Sequence, residues 1–290
     1  MPIPYYQVDV FTDRPLSGNS LTVFPGAVGL SPASMLRLTQ EMRHFESIFL
    51  GPVSSGRVRA RVFTVEEELD FAGHPVLGAA SVLHDLLRPG DRTAEWVFVL
   101  NKKEVQVWTE KGSPSYTAGM NQGEADFGYV LDPSEARMVL DWMNLSPEDL
   151  QPGCVPRVVS TGLPYLLLPL QRHADLARIS IPDLEARMAP WGAKFIGVLE
   201  IPTETMRTWD NAGTVEDIAT GSLAGPVGAY LVREGFRQAG ETIRLQQGDH
   251  LGRPSRLQVR VAPDGVYVSG EVFKIAQGVL STEASDTLWS

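Results

Sequence analysis

Two stretches rich in small residues lie half a chain apart. "FAGHPVLGAASVL" starts at Phe71 and "IATGSLAGPVGAYLV" at Ile218. Each opens with glycine and reads as the start of a helix. The elements around them follow a similar order in the two halves: a first strand, a second strand, a helix, more strands, the glycine-opened helix, then antiparallel strands. Sequence identity between the halves is low, and the shared order at half the chain length suggests two α+β domains of similar topology. A chain of 290 residues is long enough for two such domains.

Alternating apolar positions predict strands over 5–11, 21–24, 47–50, 57–65, 94–100 and 103–109 in the first half. In the second half they predict strands over 155–161, 165–170, 193–201, 206–211, 241–247, 255–262, 265–270 and 272–280. Helices are predicted over 31–42, 74–87, 134–144, 221–235 and, more weakly, 181–191. The first of these carries Ser31 as N-cap and Pro32 at its first position. Gly235 is placed to close the helix that begins at Gly221. The linker is expected in "NQGEADFGYVLDPSE" (121–135), which gives domains over 1–122 and 123–274. A C-terminal strand, 275–290, is free to return to the first domain.

Composition then narrows the function. The formal net charge of -10 argues against a general nucleic-acid binder, which needs basic surface to neutralise phosphates. No apolar run approaches the ~20 residues of a membrane span, and "MPIPYYQVDVF" lacks the pattern of a signal peptide. The expectation is a cytoplasmic protein with no membrane partner. The single cysteine, Cys154, rules out an intramolecular disulfide, a multi-cysteine zinc site and any chemistry that needs two facing thiols. It is read as a small buried filler. There is no phosphate loop, no H-E-x-x-H, no G-x-S-x-G and no dinucleotide fingerprint, so neither a nucleotide nor a nicotinamide cofactor is indicated.

Three polar clusters remain. Glu46 in "RHFESIFL" (43–50) stands among Phe45, Ile48 and Phe49. In an apolar pocket its charged form would be disfavoured, which suits a proton-transfer group; on a strand edge it would simply point to solvent. His74 sits at a helix entrance after Gly73, where free N–H groups attract anions. It either meets a substrate there or packs in the core. Asp217, Thr220 and Ser222 precede or open the second small-residue helix, and read either as an anion cradle or as N-caps. Two glycine-opened helices suggest paired receptors for a carboxylate at a domain interface.

Taken together, the motifs resemble one family. "VDVFTDRPLSGN" (8–19) is similar to its N-terminal D-x-F-x-x-x-P-x-x-G-N signature. "EMRHFESIFL" resembles the segment carrying its catalytic glutamate, and "ELDFAGHPVLGAA" its E-L-x-F-x-G-H-P-T-L-G motif. "EDIATGSLAGPVGAYL" resembles its E-D-x-A-T-G-S motif, and "GDHLGRPSRLQV" its G-x-x-x-G-R-P-S segment. This is the PhzF-like phenazine-biosynthesis family, within the diaminopimelate epimerase fold. The resemblance runs in order from about residue 5 to residue 275. It implies two similar domains, each a curved, mostly antiparallel sheet or barrel around a central helix, with the active site in the cleft between them.

The resemblance also implies an isomerase acting on trans-2,3-dihydro-3-hydroxyanthranilate or a related small carboxylate-bearing acid. A glutamate takes the C3 proton and returns a proton to C1, with no metal and no organic cofactor. By the motif matches, Glu46, His74 and Asp217 would be catalytic. Gly73, Gly221, Ser222 and Asn19 would bind substrate. A homodimer is expected on the same ground. Epimerases of this fold use two opposed cysteines, which a chain with Cys154 alone cannot supply. Asp217 either orients His74 or holds a polar group of the substrate. The sequence departs from the family at Arg43, His44 and Phe45, at Ser20 and at Asp70, which bears on the substrate more than on the reaction type. A non-catalytic metabolite- or partner-binding protein is the rival expectation; the retention of Glu46, His74 and Asp217 stands against it.

Overall fold

The structure is a computed structural model that describes residues 3–27 and 29–281. The chain divides into two compact units, Met1–Met120 with Ser269–Ser290, and Asn121–Val268. Part of the C-terminal strand predicted over 275–290 lies outside the described residues.

The first unit begins with β1 (Pro4–Val10), β2 (Asn19–Phe24), α1 (Pro32–Met42), β3 (Glu46–Ser54), β4 (Arg57–Thr64) and β5 (Glu68–Leu69). It continues with α2 (Gly73–Leu87), β6 (Thr93–Val99), β7 (Glu104–Lys111) and β8 (Tyr116–Asn121). The second holds β9 (Asp126–Val130), α3 (Pro133–Trp142), β10 (Arg157–Ser160), β11 (Pro164–Leu170), α4 (Leu184–Met188), β12 (Phe195–Glu200) and β13 (Thr205–Thr208). Then follow α5 (Gly221–Arg233), β14 (Thr242–Gln247) and β15 (Ser255–Ala262); β16 (Gly265–Val279) begins in the second unit and continues, from Ser269, in the first.

In the first unit the strand order β1-β2-β3-β4-β6-β7-β8-β16 closes on itself, because β16 also pairs with β1. The result is an eight-stranded barrel, with β5 attached to β4. Helix α2 packs against β1, β2, β3, β6 and β7, and its residues from His74 to His84 are all buried. A helix buried on every side needs small residues where strands come close. At Gly78 a Cβ would lie 2.5 Å from Leu21 Cδ2 and 3.0 Å from Val8 Cγ2, so only glycine lets the helix approach β1 and β2 this closely.

The second unit repeats the pattern. From β1 to β7 successive neighbours pair antiparallel, parallel, antiparallel, parallel, antiparallel. From β10 to β15 the sequence of directions is the same. Helix α5 packs on β10, β11 and β15, and Gly228 plays the part of Gly78, with Val259 Cγ1 2.4 Å from its would-be Cβ. The fold is therefore the expected α+β pair of similar domains.

Both faces of the inner strands are covered. Leu166, Leu168 and Leu170 join a cluster with Val139, Leu140 and Leu184 of α3 and α4. Leu167, on the opposite face, reaches Gly197 beside Leu223 of α5. Burial on two sides explains why 165–170 reads as an unbroken apolar run rather than an alternating one. Phe24, Phe49 and Phe63 likewise pack with Met35 and Leu38 of α1 in the first unit.

Several boundaries differ from expectation. The linker at 121–135 contains a strand, β9, whose residues are mostly exposed and which pairs only along one edge, with β10. An edge strand has little apolar alternation to read. The strands expected at 265–270 and 272–280 are one continuous strand, and the units divide within it, after Val268. The helix expected at 181–191 is a single α-turn over Leu184–Met188 followed by a 3-10 turn. Cys154 is half-buried rather than enclosed. Among the described residues no helix is long and apolar enough to cross a membrane.

Candidate active site

The loop before β2 is tied down by Asp9. This buried aspartate accepts the Leu16 N–H at 2.8 Å and the Ser20 hydroxyl at 3.2 Å. Gly18 has φ +69° and would place a Cβ 2.4 Å from the Val10 carbonyl oxygen, so the turn demands glycine. These contacts give the first motif its physical meaning: they set Asn19, buried, at the head of β2. Parallel pairing then puts Leu21 opposite Glu46, the first residue of β3.

Burial settles the first open question. Phe45 is exposed, whereas Glu46 is only 6% exposed and turns inward. Its Oε2 lies 3.6 Å from Nδ1 of His74. His74 is the second residue of α2 and is also buried. Burial pushes its imidazole down to about 3, because a charged ring in this setting loses its hydration. The ring is neutral near pH 7, so the contact is one between a carboxyl group and a neutral imidazole. Among the described residues His74 Nε2 has no hydrogen-bond partner. A buried polar atom left unsatisfied costs ~1–3 kcal/mol.

The entrance of α2 offers a second opening. Its N-cap, Ala72, has no side chain able to accept a hydrogen bond. The first-turn N–H groups, beginning at Gly73, are therefore left without a side-chain cap and favour an anion. Carboxyl, neutral imidazole and uncapped helix entrance thus come together in one unit: a proton acceptor, a polar anchor and an anion receptor.

The residues that depart from the family pattern make contacts of their own. Arg43 ends α1 in the left-handed conformation, φ 53°, with its N–H on the Thr39 carbonyl. His44 Nε2 meets the Gln7 side-chain amide at 2.9 Å. Asp70 forms an exposed ion pair with Lys102, and the neighbouring Phe71 carries the Lys103 ammonium over its ring at 3.5 Å.

In the second unit Asp217, Gly221 and Ser222 gather at the start of α5. The loop leading there is pinned by a buried pair: Arg207 grips Glu216 with two nitrogens at 2.7 and 2.6 Å. His250 adds a contact to Glu216 at 2.9 Å. Glu216 is accordingly held below the usual carboxylate range, against the effect of its burial. The Asp217 N–H donates to the Thr208 carbonyl at 3.0 Å. Thr220 is the N-cap residue, yet its hydroxyl caps nothing in the helix and donates instead to Asp217 Oδ2. The N-cap reading therefore does not hold for Thr220. Ser222 Oγ is 2.7 Å from the Tyr165 hydroxyl, whose own proton is held more tightly than usual, through burial first and through the nearby Asp217 charge.

Sequence reasoning missed Gln247, which is fully buried and bonded to this same turn. Its only local signal is a polar residue ending a strand beside Gly248. Among the described residues no group of three or more His, Cys, Asp or Glu side chains is arranged to hold a metal ion.

Comparison with known proteins agrees with the motifs. The chain is 32% identical over 289 residues to the trans-2,3-dihydro-3-hydroxyanthranilate isomerase of Pseudomonas aeruginosa, covering 94% of this chain and 98% of that protein. It is 31% identical over 283 residues to the uncharacterized isomerase YddE of Escherichia coli K12, covering 91% and 94%. A solved structure described as a predicted epimerase of Pseudomonas aeruginosa superposes with a TM-score of 0.89 at 48% identity, over 97% of this chain and 99% of that one. The family model for phenazine biosynthesis-like proteins matches residues 8–278, and the chain belongs to that family, PhzC/PhzF.

Proposed function

We propose that this protein is an isomerase that moves a proton within a small carboxylate-bearing acid, with Glu46 as the group that takes and returns the proton. The observation that carries the proposal is the buried Glu46 carboxyl beside a neutral His74 whose Nε2 lacks a partner among the described residues. A carboxylate shielded from water is a stronger base than one in solvent, and proton transfer by a positioned side chain contributes ~10²–10⁴-fold in rate. In the reaction Glu46 removes a proton from carbon, the electron pair delocalises through the adjacent unsaturation, and the protonated carboxyl delivers the proton to the far carbon. The substrate is isomerised with no net change in atoms or charge.

His74, being neutral, serves as a hydrogen-bonding anchor rather than as a cation. The uncapped first turn of α2, at Gly73, receives an anionic group of the substrate. Asn19, Asp217, Gly221 and Ser222 are proposed as further substrate-holding residues; the support in the second unit is the uncapped entrance of α5. The mechanism needs neither a metal nor an organic cofactor. The relatives named as trans-2,3-dihydro-3-hydroxyanthranilate isomerases make that acid the first substrate to try, with other small unsaturated acids beside it. A cytoplasmic homodimer remains part of the proposal.

The test is proton NMR in deuterated buffer with that acid and a panel of cyclic and acyclic unsaturated carboxylates. Loss of one carbon-bound proton signal with appearance of an isomer is expected for at least one of them. If the panel shows neither exchange nor isomerisation, the protein binds rather than converts such acids.

A further inference from the structure

The turn from Asp217 to Thr220 is bound by side chains from elsewhere in its unit, among them Ser255, whose hydroxyl donates to the Ile218 carbonyl at 3.3 Å, and Gln247. Gln247, the last residue of β14, is fully buried. Its Oε1 accepts the Thr220 N–H at 2.9 Å. Its Nε2 donates to the Asp217 carbonyl at 2.8 Å and to Thr220 Oγ1 at 3.0 Å. These partners fix the amide's orientation, since only the oxygen can accept from an N–H.

The orientation has a consequence for the hydroxyl. An amide NH₂ only donates, so Thr220 Oγ1 acts toward Gln247 as an acceptor. Its single hydrogen is then directed to Asp217 Oδ2. The chain of donors runs one way, from Gln247 through Thr220 to the aspartate.

Stability alone does not account for this arrangement. Thr220 stands at the N-cap of a 13-residue helix, where its hydroxyl would ordinarily accept a first-turn N–H. Such a cap ordinarily stabilises a helix. The hydroxyl is used on Asp217 instead, and the helix entrance stays uncapped. A local rule broken at no evident structural gain points to function.

We propose that Gln247 is a positioning residue of the reaction. Through the Thr220 hydroxyl it supplies a hydrogen bond to the Asp217 carboxylate and fixes that carboxylate beside the entrance of α5. The inference rests on the reading that Asp217 takes part in the reaction. Other charged or titratable groups near the turn include Tyr165, on Ser222 of α5, and the Arg207–Glu216–His250 cluster. Their hydrogen bonds go to Ser222 and within that cluster, whereas Thr220 Oγ1 receives the Gln247 amide.

The experiment is a carboxyl-carbon NMR titration of the full-length protein labelled at aspartate, with Asp217→Asn used to assign the resonance. Removing a hydrogen bond to a carboxylate raises its proton affinity. Thr220→Val and Gln247→Met are each expected to move the Asp217 midpoint up by about one pH unit, tenfold in proton affinity. Thr220→Ser, which keeps the hydroxyl and loses only a methyl, should leave it in place even if the protein melts earlier. Midpoints unchanged in both Thr220→Val and Gln247→Met, in folded protein, overturn the relay. Failure of the underlying reading shows differently: Asp217→Asn would then turn over substrate at the wild-type rate, whatever the titration says.

Discussion

Neutral His74 makes stability depend on pH in a way that one substitution should remove. The ring's proton affinity falls from 6.5 to about 3 on folding. Between those values the unfolded chain binds a proton that the folded chain refuses. The unfolded state therefore gains as pH falls, and stability is lost from about pH 6.5 downward. Each pH unit in that window is worth ~1.4 kcal/mol. From pH 7.5 to pH 5.0 the single ring should cost ~2 kcal/mol of unfolding free energy, a sizeable part of the ~5–15 kcal/mol typical of a domain. His74→Asn keeps a polar side chain in the site but cannot titrate. Urea unfolding of both proteins at the two pH values isolates the effect, because the other titrating groups stay in place in both. Glu216 and Glu68, held low by their arginine partners, are examples. The expected difference between the two pH dependences is ~2 kcal/mol. Equal dependence in the two proteins would refute the claim that the ring is held neutral, and with it the role of His74 as an uncharged anchor.

Gly78→Val should destabilise the first unit by ~2–3 kcal/mol, because the new side chain must displace Leu21 and Val8, already 2.5 and 3.0 Å from the Cβ position; calorimetry reads the lowered melting midpoint. Cys154→Ser should leave the isomerisation rate within twofold (~0.4 kcal/mol). The thiol is half-buried, and burial raises it above its usual value, so it is mostly protonated near neutrality. A tenfold loss would bring thiol chemistry back into the account.

The architecture was legible because its signals are local and repeated. Alternating strands, the two small-residue helices and caps such as Ser31, which accepts the Ser34 N–H at 3.1 Å, each follow from a few neighbouring residues. Strand β9 was not legible because an exposed edge strand carries no apolar face. The sequence splits β16 into 265–270 and 272–280, although a single strand runs from Gly265 to Val279. The candidate site was half legible. Motifs named Glu46 and His74, but whether Glu46 faces inward depends on its register against Leu21 and Thr64, which no spacing reveals. Gln247 escaped for a related reason: its partners, Asp217 and Thr220, are distant in sequence and meet it only when β14 lies beside the turn.

The central claim is that Glu46 carries the proton. Its most direct test is the turnover number of Glu46→Gln, measured on whichever acid the wild type isomerises fastest. Glutamine matches glutamate in shape, so the fold and the contact with His74 are kept while the base is lost. The account predicts a melting midpoint close to the wild type and a fall in kcat of ~10²–10⁴-fold. A folded Glu46→Gln protein that turns over within threefold of the wild type (~0.7 kcal/mol in the barrier) would contradict it.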